Sequence, residues 1–268
     1  MQYAQKTFSG NKILLYAWFQ AMFTRVDLML YDDIERQDLI SIAHEIEKEI
    51  VRIESFTNRF DENSLLSHVN RNACYESVQL IPELFKILAD CQLYKEQTSG
   101  YFDIATQMAG LKQIGADEFV LDTENCSVRF LDPRVKLDLS GYIKGYALGS
   151  VVRLLKEKNI ANALINIGNS SICAMGNHPA GQGWKVAVPA TNLECVLKNE
   201  CLTTSGNSVD TIWPIINPLT GDAAEIKLSV SGITAGPAIG EVLSKVANLA
   251  TEAELDLILR KFNARLVN

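Results

Sequence analysis

In the stretch KLDLSGYIKGYALGSVVRLL, residues 136–155, an acid interrupts an apolar run at Asp138, and a glycine series then opens around one lysine, Lys144. Gly141, Gly145 and Gly149 recur at every fourth position, so on a helix they share one face and leave it without side chains. Alone, such a series predicts close packing of the helix on a sheet. The lysine and the acid shift that reading. A helix N-terminus offers unpaired backbone N–H groups and a positive dipole end, a seat for phosphate, and a lysine in the first turn adds a full charge. The adjacent acid suits a ribose or adenine donor, or a metal. Neither GxxxxGK[ST] nor GxGxxG is present, so the segment is neither a Walker loop nor a dinucleotide fingerprint. A phosphate-bearing ligand is expected, its identity open.

The 268 residues that must position this segment suffice for one large α+β unit, or for two halves sharing a core. With 47% hydrophobic and 21% charged residues the composition is that of an ordinary globular protein. The formal net charge of -7 and the lack of a basic run argue against a nucleic-acid partner, because phosphate neutralisation needs clustered Lys and Arg. Six cysteines without a CxxC pair, and three histidines, predict neither a zinc site nor a disulfide framework but reduced thiols. The N-terminal MQYAQKTFSGNKILLYAWFQAMF has only short apolar pieces, with no signal peptide or lipobox. No stretch reaches the ~20 apolar residues of a membrane span, so a cytoplasmic location is expected.

Residues 25–31 alternate, with Val26, Leu28 and Leu30 on one side, and read as a half-buried strand. Leu39, Ile42, Ala43, Ile46, Ile50 and Ile53 then recur at helical spacing. After the polar turn TNRFDENS a second helix starts near Pro82 and stops before Gly100. Residues 119–121 and 128–131 read as a hairpin, 135–139 as a strand, and the glycine segment as a helix to about Lys156. NALINIG, ICAMG, WKVAVPA and CLTTS are short strand candidates. A helix containing Ile239, Val242, Leu243, Val246 and Leu249, another through Leu259 and the strand-like ARLV follow. Strict βαβ alternation is missing, which favours α+β over a doubly wound fold. His44 on a charged helix and His68 in a polar loop read as surface residues, and Trp184 and Trp213 as sheet core.

LDLSGYIKGYALG, then NALINIGNSSICAMG, TTSG and NPLTG, resemble in order the motifs of the ApbE family of flavin transferases. Upstream, AMFTRVDLMLYD resembles that family's Met-Gly-Thr strand, FDENSLLSHVN its loop ending in Asn, and GYFD its Gly-x-Phe-Asp. The resemblance runs from about Met22 to Ala250, which makes the chain a single domain of residues 1–268 with a core of about 22–250. It implies a T-fold-like architecture, two sheet-and-helix halves around a flavin cleft. It also implies a magnesium-dependent transfer of FMN from FAD to a threonine of an acceptor flavoprotein with release of AMP, or FAD hydrolysis. FAD contacts would fall on Met22, Phe60, Tyr101, Phe102, Asp103, Asp138, Lys144 and Ile216, and metal contacts on the Gly141 carbonyl and on residues 241 and 245.

The sequence departs from that pattern at the metal. Where the family carries Asp and, four residues on, Thr, this chain has Glu241 and Lys245. An ammonium cannot coordinate magnesium, so the family's metal site is not expected to form. The pair reads either as an exposed i,i+4 ion pair or as a lysine standing where the metal would be, and the second reading is favoured. Pro214 and Asn217 occupy the family's His and Asp positions, and Gly168, Asn169 and Ser170 its Gly-Gly-Asp-like turn. Proline has no side chain for acid/base work. The resemblance therefore points to an FAD-binding relative, formally an FAD:protein FMN transferase with a degraded magnesium site, with a catalytically inactive flavin-binding protein, or a flavin chaperone or sensor, as the alternative.

Overall fold

Period-two alternation builds most of this computed structural model, which describes residues 1–8, 12–105, 118–189, 191, 193–205, 215–224 and 230–267. In chain order the elements begin with β1 (Gln2–Thr7), β2 (Ile13–Ala21), β3 (Thr24–Asp32), α1 (Arg36–Thr57), α2 (Leu65–Asn72), β4 (Val78–Gln79) and α3 (Pro82–Gln97). β5 (Phe119–Asp122), β6 (Ser127–Phe130), α4 (Ile143–Glu157), β7 (Asn162–Ile167), β8 (Ser171–Met175) and β9 (Trp184–Ala187) follow. The last are β10 (Glu194–Leu197), β11 (Glu200–Ser205), β12 (Val230–Thr234), α5 (Pro237–Val246), α6 (Glu252–Lys261) and β13 (Arg265–Val267).

The main sheet has eight strands in the order β1-β2-β3-β7-β8-β11-β12-β13, every neighbouring pair antiparallel. One seam joins β3 to β7, with Val26 opposite Ile167 and Leu28 opposite Ile165. The alternation read at residues 25–31 turns Val26, Leu28 and Leu30 onto the helical side, where they are fully buried with Leu39, Ile46 and Ile50 of α1. Each such side chain contributes about 1.5–3 kcal/mol of apolar burial. Trp184, on the hairpin β9–β10, fills a second cluster on the opposite face with Leu164, Ile172 and Leu202, its indole N–H donating to the Met175 carbonyl at 2.8 Å. The chain is thus α+β, as its alternation pattern predicted.

Three local expectations are corrected. The region around FDENSLLSHVN is not only loop: Ser64 caps α2 by accepting from the Ser67 N–H at 3.0 Å, and His68 lies on that helix. A short helix of eight residues with a single apolar stripe is easily read as loop, because its cap lies inside a run of polar residues. Residues 135–139 are no strand; the Asn70 side chain takes the place of a neighbour, donating to the Leu137 carbonyl at 2.9 Å and accepting from its N–H at 2.7 Å. The glycine series meets a helix rather than a sheet. A Cβ on Gly145 would lie 2.5 Å from the Pro237 carbonyl oxygen of α5, and Gly141 precedes α4 altogether. Trp213 and Pro214 lie outside the described residues. Among the described residues no helix is long and apolar enough to cross a membrane.

Candidate functional site

A two-residue turn joins β2 to β3, since Ala21 pairs with Thr24. Both turn residues carry positive φ, +52° at Met22 and +59° at Phe23, the geometry that right-twisted hairpins demand and that Asn-Gly usually supplies. Left-handed backbone costs an ordinary residue about 1–2 kcal/mol. Here it holds two apolar side chains over a cavity of about 750 Å³, Phe23 being 77% exposed.

The other walls come from the last turn of α1 (Glu54, Thr57), from Asn58 to Phe60, from Asp138, Ser140, Ile143 and Lys144, and from Gly168 at the β7–β8 turn. Phe60 meets Phe23 edge-on with ring centroids 5.9 Å apart. The Arg59 guanidinium lies over the Phe60 ring at 4.6 Å and reaches the Asp138 carboxylate at 3.3 Å. Asp138 is aimed by its surroundings: its N–H donates to the Ile104 carbonyl at 2.8 Å, and its Oδ1 accepts from the Ser140 N–H at 2.8 Å. Lys144, in the first turn of α4 as predicted, donates to Ser170 Oγ at 2.5 Å.

Beside this wall lies a buried charge cluster. Glu241, 2% exposed, accepts from the hydroxyl of Ser171 and from Lys245 Nζ, whose ammonium stands 3.2 Å from Glu241 Oε2 and 3.2 Å from its carbonyl oxygen. The pair is therefore not the exposed i,i+4 bridge of one reading. The stem of Lys245 lies across Gly141, whose hypothetical Cβ would meet Lys245 Cε at 2.7 Å. Burial alone would raise the Glu241 carboxyl, but the two cations Lys245 and Lys144 and the Ser171 hydroxyl hold it below the ordinary glutamate value. Burial pulls Lys245 below the usual lysine range, with Glu241 opposing and Lys144 adding to the effect.

Of the FAD contacts expected from the sequence, Met22, Phe60, Asp138 and Lys144 line this cavity together. Tyr101, Phe102 and Asp103 are placed elsewhere: Tyr101 donates to Glu254 at 2.8 Å, Phe102 packs in the core against Tyr94 and Tyr142, and Asp103 faces Lys95 at 2.6 Å. Ile216 forms an isolated bridge with Ala223, and Asn217 shapes a turn by accepting from the Leu219 N–H at 2.9 Å. Phe23, Arg59 and Ser171 escaped the sequence reading. Only strand register reveals that Met-Phe forms a left-handed turn, and nothing local marks Arg59 or Ser171 as cavity or cluster residues.

Comparison with known proteins bears on the family and the fold. The ApbE family model matches residues 22–110 and 106–266. An FAD:protein FMN transferase of Chlamydia muridarum is 27% identical over 207 residues, 66% of this chain and 64% of its own, so the chain spans just under two thirds of that relative. A protein of the same name from Chlamydia trachomatis serovar D is 26% identical over 75% of this chain and 73% of its own. Among solved structures, the ApbE protein of Thermotoga maritima superposes with a TM-score of 0.81 at 21% identity, covering 99% of this chain and 93% of its own. The flavin transferase ApbE from Vibrio cholerae gives 0.80 at 15% identity, covering 95% and 93%. The chain belongs to the ApbE family.

Proposed function

We propose that this member of the ApbE family binds FAD across the cleft, with Met22, Phe60, Asp138 and Lys144 among its contacts, and that it does so without magnesium. Its formal activity is that of its relatives, transfer of FMN from FAD to a threonine of an acceptor protein with release of AMP. The observation that carries the reading is the Lys245 ammonium, 3.2 Å from Glu241 Oε2 and with its stem across Gly141.

The residues of this cluster do not fit magnesium. That ion needs oxygen donors at near-ideal octahedral geometry, whereas here one carboxylate is already shared between a lysine and a serine, and a cation fills the neighbouring space. Lys245 and Lys144 instead supply fixed positive charge beside the cavity, suited to the pyrophosphate of a dinucleotide. Asp138 is placed to accept from a sugar hydroxyl or a base N–H.

A second reading, a flavin-binding protein, chaperone or sensor without transferase activity, is favoured by the same lysine, because a tethered ammonium lacks the open coordination site with which a metal polarises a phosphoryl oxygen. Titration of FAD fluorescence in magnesium and in EDTA tests the binding claim. Equal affinities are expected. A magnesium-dependent gain would return the cluster to a metal site.

A further inference from the structure

Arg59 occupies two groups of the cleft at once. Its guanidinium lies over the Phe60 ring at 4.6 Å and bridges to Asp138 at 3.3 Å, so an aromatic face and a carboxylate assigned to the ligand are both engaged by the protein itself. The arrangement is incomplete, since Arg59 Nε is buried and finds no hydrogen-bond acceptor among the described residues. A buried N–H without a partner disfavours the conformation that hides it. Among the described residues, what holds the side chain is one long ion pair and one cation–π contact, and about a third of the side chain is exposed. Rotation outward returns Nε to water and frees Asp138 and Phe60 together.

We propose that Arg59 is a latch on the cleft, a side chain that competes with the ligand for Asp138 and Phe60 and must swing away before FAD seats. The inference rests on the FAD reading of this cavity. It sets the direction of an effect that a simple contact residue would reverse. Removing a residue that contacts the ligand weakens binding; removing a latch strengthens it, because the ligand no longer has to displace a competitor.

The test compares FAD titrations, followed by flavin fluorescence, of the full chain with Arg59→Gln and Arg59→Lys, each checked for folding by thermal melting. Arg59→Gln loses the charge and the ring contact, so FAD is expected to bind about three- to tenfold more tightly, the scale of one exposed ion pair and one cation–π contact. Arg59→Lys keeps the charge without the planar stack and is expected to fall between; should the glutamine variant not fold, tighter binding by the lysine variant supports the latch. Phenylglyoxal labelling of Arg59 in the wild type is expected to rise on adding FAD. Unchanged or weaker binding by the variants, with the wild type binding normally, overturns the latch alone. Failure of wild type and variants alike to bind FAD removes the cleft reading and the latch with it.

Discussion

Lys245 and Gly141 share one small space: the lysine stem passes over the glycine so closely that a β-carbon there would lie 2.7 Å from Cε. The obstructing atom is near the end of a flexible side chain, so an alanine at 141 displaces the lysine rather than the backbone. Gly141→Ala is expected to fold with a nearly unchanged melting temperature and to lose FAD affinity by about the same factor as Lys245→Met. Wild-type affinity in Gly141→Ala would dissociate the ammonium from the ligand.

The pair Glu241→Asp with Lys245→Thr replaces the ammonium by a hydroxyl four residues from a carboxylate, two oxygen donors on one helix face. The double variant is expected to bind magnesium in calorimetry where the wild type does not, and to release AMP from FAD faster than the wild type. Strong magnesium binding by the wild type would contradict the cation assignment.

Asp138→Ala and Lys144→Ala each remove one charged partner from the cavity wall. A hydrogen bond to a charged group contributes about 1.5–3 kcal/mol, so each change is expected to weaken FAD binding by roughly tenfold to a hundredfold. Equal affinity of both variants and the wild type in a fluorescence titration would sink the pocket assignment.

The Met22–Phe23 turn stores backbone strain that Asn-Gly would not carry. Met22→Asn with Phe23→Gly is therefore expected to stabilise the chain by about 1 kcal/mol in denaturant unfolding, while weakening FAD binding. A variant that loses stability would show that the two side chains hold the fold and not the ligand.

Burial and the neighbouring Asp103 push the Glu118 carboxyl up to about 7, against the pull of Lys95 at 2.5 Å. The folded chain thus holds this proton more firmly than the unfolded one, whose glutamates titrate near about 4.3. Its contribution to stability is complete below that value and is lost as pH rises through about 7. Melting temperatures of Glu118→Gln and the wild type should converge at about pH 4 and separate by about pH 8 in favour of the variant; a pH-independent difference would refute the assignment.

Alternation and helical spacing made most elements legible, because strands such as β3 and helices such as α1 each bury one regular face. Asp138 and Lys144 could be singled out as an acid and a cation near a helix start. What stayed hidden depends on contacts distant in sequence. Asn70 replaces a strand neighbour for Leu137, 67 residues away, and so turns a strand-like run into a loop. Gly145 is bare where the Pro237 backbone approaches it. Arg59 next to Phe60 carries no periodic signal at all.

The seam between β3 and β7 has a kinetic consequence. Thr24 and Gly168, from its two sides, line the cavity, while their strands are separated in the chain by three helices, three short strands and α4. The hairpin β2–β3 can form locally, but the cleft closes only after this long loop has been drawn shut, a step whose entropy makes folding slow. No early folding species owns a finished cavity. If a flavin nucleotide is the ligand, as proposed above, it would select only fully closed chains and, by mass action, deepen their stability in proportion to the logarithm of its concentration, so that the small molecule would act as a late partner in folding as much as a ligand of the finished protein.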